Sequence, residues 1–346
     1  MPTPSEFVHL HFHSHYSLLD GAIKVKGLGK HLNELEYDTC ALTDHGNLYG
    51  AIEFHDELKK SGIKPIIGME AYVAKVNRFH RTYAKAGPNA YHTVLLCENK
   101  VGYQNLIKIA SMGFRDGKYY GKPRIDHELL EKYNEGLIVL SACLGGELAR
   151  RLLEGEREDA IKTAEWYAHV FKDRYYIELQ SNKLEKQDIV NPQLIEIAET
   201  LNLPLVGTCD CHYLKREHAE AQYILQLMGW QKKVTEPDVK QLEVSEMYVK
   251  SVDEIKDAFK DLPETCISNT RIIADRCELD LSTKKMYLPE YPVESKRALD
   301  EELIYQSQEG LIHRFKYLKK LYQWSDEEEI KQKKIYEDRL VFELKV

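Results

Sequence analysis

The sequence predicts an α/β protein whose strands close into a seven-stranded barrel, followed by a short, mainly helical C-terminal extension. Three observations carry this. Through the first 210 residues, apolar runs rich in β-branched and aromatic residues alternate with stretches of helical periodicity, the pattern of repeated βα units. Seven such runs occur. Residues able to hold a metal ion recur at or just beyond the ends of these runs, as a site at one end of a barrel requires. Periodicity alone equally allows an open doubly wound sheet, and the ligand placement favours the barrel.

The expected strands are 7–13, 40–43, 65–73, 92–97, 137–140, 175–179 and 205–208, each a short run of apolar and β-favouring residues. Between them, residues 25–35, 50–60, 99–112, 157–171 and 188–201 place apolar residues at helical spacing. From about 222 to 286 the pattern continues as helices, with a strand-like EMYVK at 246–250. Pro289 and Pro292 then interrupt it, which divides a metal-binding barrel domain over 1–286 from an extension over 287–346. Residues 299–339 read as two charged helices, with Ser325 as N-cap before the acidic 326–329. The apolar FELKV at the end lacks a following partner, so the sequence is expected to stop inside a larger protein.

Composition narrows the function classes. A hydrophobic content of 43% with 30% charged residues belongs to an ordinary soluble protein, and a formal charge of −8 argues against a broad basic face for duplex nucleic acid. Seven scattered cysteines do not make a disulfide framework. With no charged-then-apolar leader after Met1 and no apolar stretch near the roughly 20 residues that span a bilayer, a cytoplasmic protein with no membrane partner is expected.

Nine candidate metal ligands stand out: His11, His13, Asp20, His45, Glu70, His92, Cys143, Asp210 and His212. In extended backbone residues two apart share a face, so His11 aligns with His13 and Asp210 with His212. The same parity includes His9 and His15, but four histidines cannot all enter one site; His9 reads as a hydrogen-bonded core residue and His15 as a loop residue. Cys209 and Cys211 fall on the opposite face and, like Cys40 and Cys97, read as small packing residues. Cys143 follows the run GLIVL and precedes a glycine turn, at the same rim as the other candidates. Glu70 is an acid inside an apolar run, costly unless paired with a cation, and a carboxylate bridging two metals fits it better than a salt bridge. Asp44 is expected to orient His45 rather than to touch metal.

Two loops are basic and aromatic. One, at 75–91, holds Lys75, Arg78, Arg81 and Lys85 with Tyr83 and Tyr91; the other, at 114–124, holds Arg115, Lys118, Lys122 and Arg124 with Tyr119 and Tyr120. On an acidic chain they suggest a lip for phosphate and unstacked bases, with Arg78, Arg81, Lys118, Tyr119 and Tyr120 as its principal groups.

The ordered motifs HLHFHSHYSLLDG, TDHGNLYGA, GMEAY, YHTVLL, SACLGG and TCDCHY resemble the PHP family, named for polymerase and histidinol phosphatase, in the branch that forms the N-terminal part of bacterial replicative DNA polymerases. That resemblance implies a distorted (β/α)7 barrel with up to three divalent metals. His11, His13, Glu70 and Asp210 would hold one; Glu70, His92 and Cys143 a second; Asp20, His45 and His212 a third. The donor set admits zinc, manganese or iron over magnesium. A parent DNA-directed DNA polymerase is implied, with the start of its core at 287–346 and no polymerase activity in this part. The expected activity is a metal-dependent 3′–5′ exonuclease (proofreading) working through Glu70, Asp210 and His13 on the primer 3′ end, since metal clusters suit phosphoester hydrolysis. Expected partners are the remaining polymerase core, a proofreading subunit and the sliding clamp assembly. Two rivals stand beside it: a metal-stapled platform for that core, and a stand-alone phosphatase of histidinol phosphatase type.

Overall fold

The runs of alternating apolar residues become strands β1 (Thr39–Leu42), β2 (Lys64–Ala74), β3 (Ala90–Cys97), β4 (Lys118–Tyr119), β5 (Lys122–Ile125), β6 (Leu137–Leu140), β7 (Tyr175–Gln180) and β8 (Leu205–Thr208). The computed structural model describes residues 4–81, 89–236, 246–282 and 288–346. These fall into two compact units, Met1–Ser282 and Thr283–Val346. The expected boundary between 286 and 287 lies outside the described residues.

In the first unit the sheet runs β4-β5-β2-β3-β6-β7-β8, with β1 parallel to the first part of β2. Residues 7–13 close the ring. They are not a regular strand, as expected from their sequence, but a bent segment that bridges β1 at His9↔Cys40 and the chain beyond β8 at Phe12↔Cys211. Its backbone bonds run from Ala41 N to His9 O (2.9 Å) and from Cys211 N to His11 O (3.1 Å). The bend at His11 also breaks strict alternation: Val8 and Leu10 lie with the barrel interior, Phe7 and Phe12 with the surrounding helices. The ring therefore counts seven staves, a distorted (β/α)7 barrel.

One stave differs from a wholly parallel barrel. β3 is antiparallel to both β2 and β6, so β2 ends and β3 begins at the same rim.

Alternation along each strand separates two apolar layers. Ala41, Ile66, Val94, Leu96, Ile138, Leu140, Tyr176 and Val206 fill the barrel, while their neighbours Leu42, Ile67, Leu95, Val139, Ile177 and Leu205 pack outward with helical residues such as Phe54, Leu58, Leu106, Ile109 and Leu194. Helices occupy Leu28–Glu34, Ala51–Lys60, Lys100–Asp116, Arg157–Phe171 and Glu185–Leu201, and two further short ones lie at His127–Lys132 and Glu147–Leu153. Their starts are chemically marked: Asn99 accepts from Val101 N and Gly102 N, and Asp126 from Leu129 N. The segment 246–250 pairs at Tyr213↔Tyr248.

The helix Thr265–Arg276 seals the barrel floor, where the parallel strands begin. Ile273 and Ala274, with Cys277 just beyond, join the interior cluster. Thr270 Oγ1 accepts from Val8 N (3.0 Å), Ala274 O accepts from Lys64 Nζ (2.8 Å), and Asn269 Nδ2 donates to Leu205 O (2.7 Å).

The second unit holds helices Leu299–Tyr322 and Asp326–Glu343, the latter opened by a reciprocal Ser325–Glu328 capping box. Phe315 meets Tyr336 edge-on at 5.4 Å. Among the described residues no helix is long and apolar enough to cross a membrane.

Truncating the floor should be costly. Ile273 is fully buried, so Ile273→Ala is expected to lower stability by about 2–5 kcal/mol, measured as a shifted urea midpoint with unchanged slope.

Candidate metal centre

The nine candidate ligands converge at the rim opposite the floor. His45 follows β1, Glu70 lies within β2, Cys143 follows β6, and Asp210 and His212 follow β8. His11 and His13 come from the bent closing segment, and Asp20 from the loop after it. His92 stands near the start of its strand, yet it reaches the same rim because β3 is antiparallel and pairs His92 with Tyr72.

Two backbone devices aim the loops. Asp210 adopts a left-handed conformation (φ 52°), which aspartate tolerates better than most residues, and Ala142 does likewise (φ 65°) just before Cys143. Gly145 lets the ring of His92 approach: a Cβ there would stand 2.9 Å from His92 Nδ1.

Glu70 is the hub. Its Oε1 lies 2.9 Å from His92 Nδ1, 3.3 Å from His11 Nε2 and 3.7 Å from Cys143 Sγ, while Oε2 lies 2.6 Å from His45 Nδ1 and 3.7 Å from His13 Nε2. Asp210 Oδ1 faces His13 Nε2 (3.2 Å) and His11 Nε2 (3.4 Å). Asp20 Oδ2 faces His45 Nε2 (3.0 Å) and His212 Nε2 (3.5 Å). Among the described residues three trios bring ligand atoms within 4.8 Å of one another: His13, His45 and His212; His11, His13 and Glu70; Glu70, His92 and Cys143.

A surrounding layer sets which nitrogen of each ring faces inward. Glu178 Oε1 accepts from His11 Nδ1 at 2.7 Å, and the Asp210 carbonyl accepts from His212 Nδ1 at 2.8 Å. For His13 a proton count decides. Ser17 gives its single hydroxyl proton to Asp44 Oδ1 (2.7 Å), so its oxygen accepts from His13 Nδ1 (2.9 Å) and from the backbone of His45 (3.1 Å). Each of the three rings thus presents Nε2 to the cluster. Asp44 accordingly acts on His13 through Ser17, not on the ring of His45 as expected; its other oxygen accepts from Ser14 Oγ. Gln222 and Gln226, one turn apart on the helix Ala219–Gly229, donate to Asp20 Oδ1 at 2.9 and 2.8 Å.

Glu178 was missed from the sequence, although a signal existed: like Glu70 it is a carboxylate within an apolar strand. Thr208 Oγ1 and Gln180 Nε2 also bond it.

Burial and mutual charge shift these groups in opposite directions. Burial would raise Glu70, but His92, His45 and His11 hold it well below the usual carboxylate range. Asp210, despite burial, is lowered by His11, His212 and His13, and Asp20 by His212 and His45. Against burial, Glu70 and Asp20 push His45 up to about 10, and Asp20 and Asp210 push His212 up to about 9. Burial, with positive His45 and His212 beside it, drops His13 to about 3. Burial, then Glu70 and Asp210, raise the half-buried Cys143 thiol. Protons on the histidines therefore balance the buried carboxylates in the metal-free protein, in the place divalent ions would take.

The remaining sequence expectations are placed as follows. His9 is buried, with Nε2 3.1 Å from Lys250 O, and His15 is exposed. Arg78, expected in a basic lip, is buried with its charge committed to Asp126 (2.7 Å) and Glu128 (3.2 Å). Arg81 bonds the carbonyls of Lys118 and Asp116. Lys118 and Tyr120 are exposed on the β4–β5 hairpin, and Tyr119 lies under Arg124 (4.4 Å). Lys85 and Tyr83 lie outside the described residues.

A barrel with histidines, carboxylates and a cysteine at one rim defines a class, and the chain belongs to it: the PHP domain family matches residues 9–182. Over 317 residues the chain is 44% identical to the DNA polymerase III subunit alpha of Borreliella burgdorferi, covering 91% of this chain and 27% of that protein. The corresponding subunit of Treponema pallidum is 40% identical over 90% of the chain and 26% of its own length. The chain thus spans about a quarter of the length of these curated relatives. Among solved structures, an amidohydrolase from Chromobacterium violaceum superposes with a TM-score of 0.37 at 17% identity, over 59% of this chain and 87% of that one.

The opposed shifts fix a pH profile. Histidine ordinarily titrates near 6.5. The raised groups His45 and His212 stabilise fully below that value and lose their contribution as pH climbs through about 9 and 10. His13 and His9, lowered to about 3 and about 4, act oppositely: unfolding takes up their protons first, so stability falls as pH drops from 6.5 toward those values. The metal-free protein is expected to melt highest near pH 6.5, and zinc or manganese should flatten the alkaline limb. Thermal melts with and without chelator check this; an alkaline limb indifferent to metal contradicts it. For Glu178→Gln, metal affinity is expected to fall about 10–100-fold with the fold retained, read by competition with a chromogenic chelator.

Proposed function

We propose that this chain is a metal-dependent phosphoesterase acting as a 3′–5′ exonuclease on the primer end of DNA. One observation carries the reading: His11 Nε2, His13 Nε2, His45 Nδ1, Glu70 Oε2 and Asp210 Oδ1 are buried at one rim, crowded within ion-pair distance of one another yet without hydrogen-bond geometry. Buried polar atoms are ordinarily satisfied, and a group of them facing one another is chemically suited to cations. His11, His13, Glu70 and Asp210 would hold one ion, Glu70, His92 and Cys143 a second, and Asp20, His45 and His212 a third. Zinc, manganese or iron match this donor set.

Bound there, the ions would supply Lewis acidity toward a phosphoryl oxygen and a water acidic enough to attack at neutral pH. The chain's own residues do the rest. Glu70 places one oxygen toward His92 and Cys143 and the other toward His45, which suits it to bridge. Neutral His13 offers a lone pair at Nε2 because Ser17 holds its Nδ1 proton. Glu178 and the Asp210 carbonyl fix His11 and His212 in the same sense, so the donors need no rearrangement when charge develops in the transition state.

DNA as substrate is supported by the relatives, which are DNA polymerase subunits by name. In this reading the barrel is the N-terminal domain of a replicative polymerase alpha subunit, and residues 287–346 begin its core. The polymerase core, a proofreading subunit and the sliding clamp assembly are its partners.

The test is a 3′-labelled single strand with metal-loaded protein, compared with Asp210→Asn and His13→Ala. Stepwise shortening is expected, and about a hundredfold or greater loss in both variants. No shortening with zinc, manganese or iron, together with a large fall in Tm on chelation, would instead leave the metals as staples of a structural platform.

A further inference from the structure

The cluster accounts for a phosphodiester but not for the bases attached to it. Arg78 and Arg81, two of the expected lip cations, bond their own chain, so their charges are already engaged. Beside Asp20 and His45, however, a groove of about 580 Å³ opens, lined by Tyr49, Tyr72, Phe114, Lys122 and Trp230. That volume lies within the range of about 300–1,000 Å³ typical of small-ligand sites.

Its walls are unusual for a water-facing surface. Tyr49 and Trp230 are each 59% exposed. Tyr49 has Phe114 at 6.1 Å with the rings tilted by 36°, so two aromatic rings meet in the lining. Lys122 Nζ donates to Tyr72 Oη at 2.8 Å and supplies a cation to the lining, which His45 of the cluster also borders. Trp230 directly follows the helix Ala219–Gly229, whose Gln222 and Gln226 hold Asp20. Trp230 is therefore joined to the cluster through one helix. Aromatic faces with a cation beside them suit unstacked bases joined by a phosphate, a sequence-tolerant mode of binding. An apolar peptide would use the aromatic faces but not their adjacency to a phosphoesterase cluster.

We propose that Tyr49, Trp230 and Lys122 seat the last bases of a single DNA strand and present its terminal phosphodiester to the cluster. This rests on the phosphoesterase reading for the identity of the ligand. Tyr49 and Trp230 stack on successive bases, and Lys122 neutralises the phosphate between them. Base pairing is incompatible with such a seat, so the end of a duplex must fray before it enters.

Binding is measured on the whole chain with chelator present, by anisotropy of a short 5′-labelled oligothymidine and of the same strand with its last two sugars abasic. Tyr49→Ala and Trp230→Ala are each expected to weaken binding of the normal strand roughly tenfold. Neither should affect the abasic strand, which is itself bound more weakly by the unaltered protein. Lys122→Gln should reduce the salt slope by about 0.7 on a single strand. Tyr317→Ala, an exposed aromatic in the second unit, should change nothing. Equal losses on both strands, or none, overturn the proposal. Because binding is read without metal, a chain that binds this way yet fails to shorten the strand when metal is added keeps the groove and loses the exonuclease. Shortening with binding unchanged in the variants does the reverse.

Discussion

A carboxylate inside an apolar strand has to be answered by positive charge, and the rim of this barrel is organised around that demand. Glu70 is almost fully buried (1% exposed) on β2, where an unpaired charge would be prohibitive. His11, His45 and His92 stand around it. Those rings are in turn brought there by three separate devices: a bent closing segment, a loop beyond β1 and a reversed strand. Asp210 and Asp20 repeat the demand on either side.

Around these donors lies a less obvious order of hydrogen bonds. Glu178, Ser17 with Asp44, and the Asp210 carbonyl each take a proton from one ring. The outcome is a set of ring nitrogens and carboxylate oxygens aimed at one space, where protons on His45 and His212 stand in the place an ion would take, and buried networks of this kind specify a single arrangement when every member is satisfied. Here Ser17, Asp44 and the Asp210 carbonyl are satisfied, whereas Glu178 Oε2 and the inner atoms of His11, His13, His45, Glu70 and Asp210 are not. The imbalance marks the candidate site.

Much of this was legible in the sequence because strand geometry is periodic. Parity separated Asp210 and His212 from Cys209 and Cys211, and glycine after Cys143 marked a turn at the rim. Seven apolar runs sufficed for the stave count. What periodicity could not supply was direction: nothing in the residues 92–97 says that their strand runs against its neighbours, so His92 at its start looked misplaced until the pairing was seen. Nor does parity survive a bend, which is why residues 7–13 read as a strand while His11 changes face. Arg78 looked free because its partners Asp126 and Glu128 lie some fifty residues away. Tyr49, Phe114 and Trp230 come from three distant segments, and no local pattern joins them.

The helix that closes the barrel floor has a consequence for biosynthesis. Val8 is tied to Thr270 across 262 residues, and the closing segment pairs with Cys211. A ribosome releases the N-terminal histidines long before their counterparts, so the nascent chain carries an open half-ring with unpaired edges. A metal site that draws on Asp210 and His212 would be complete only after the last stave has emerged, so metal uptake would report on a finished ring.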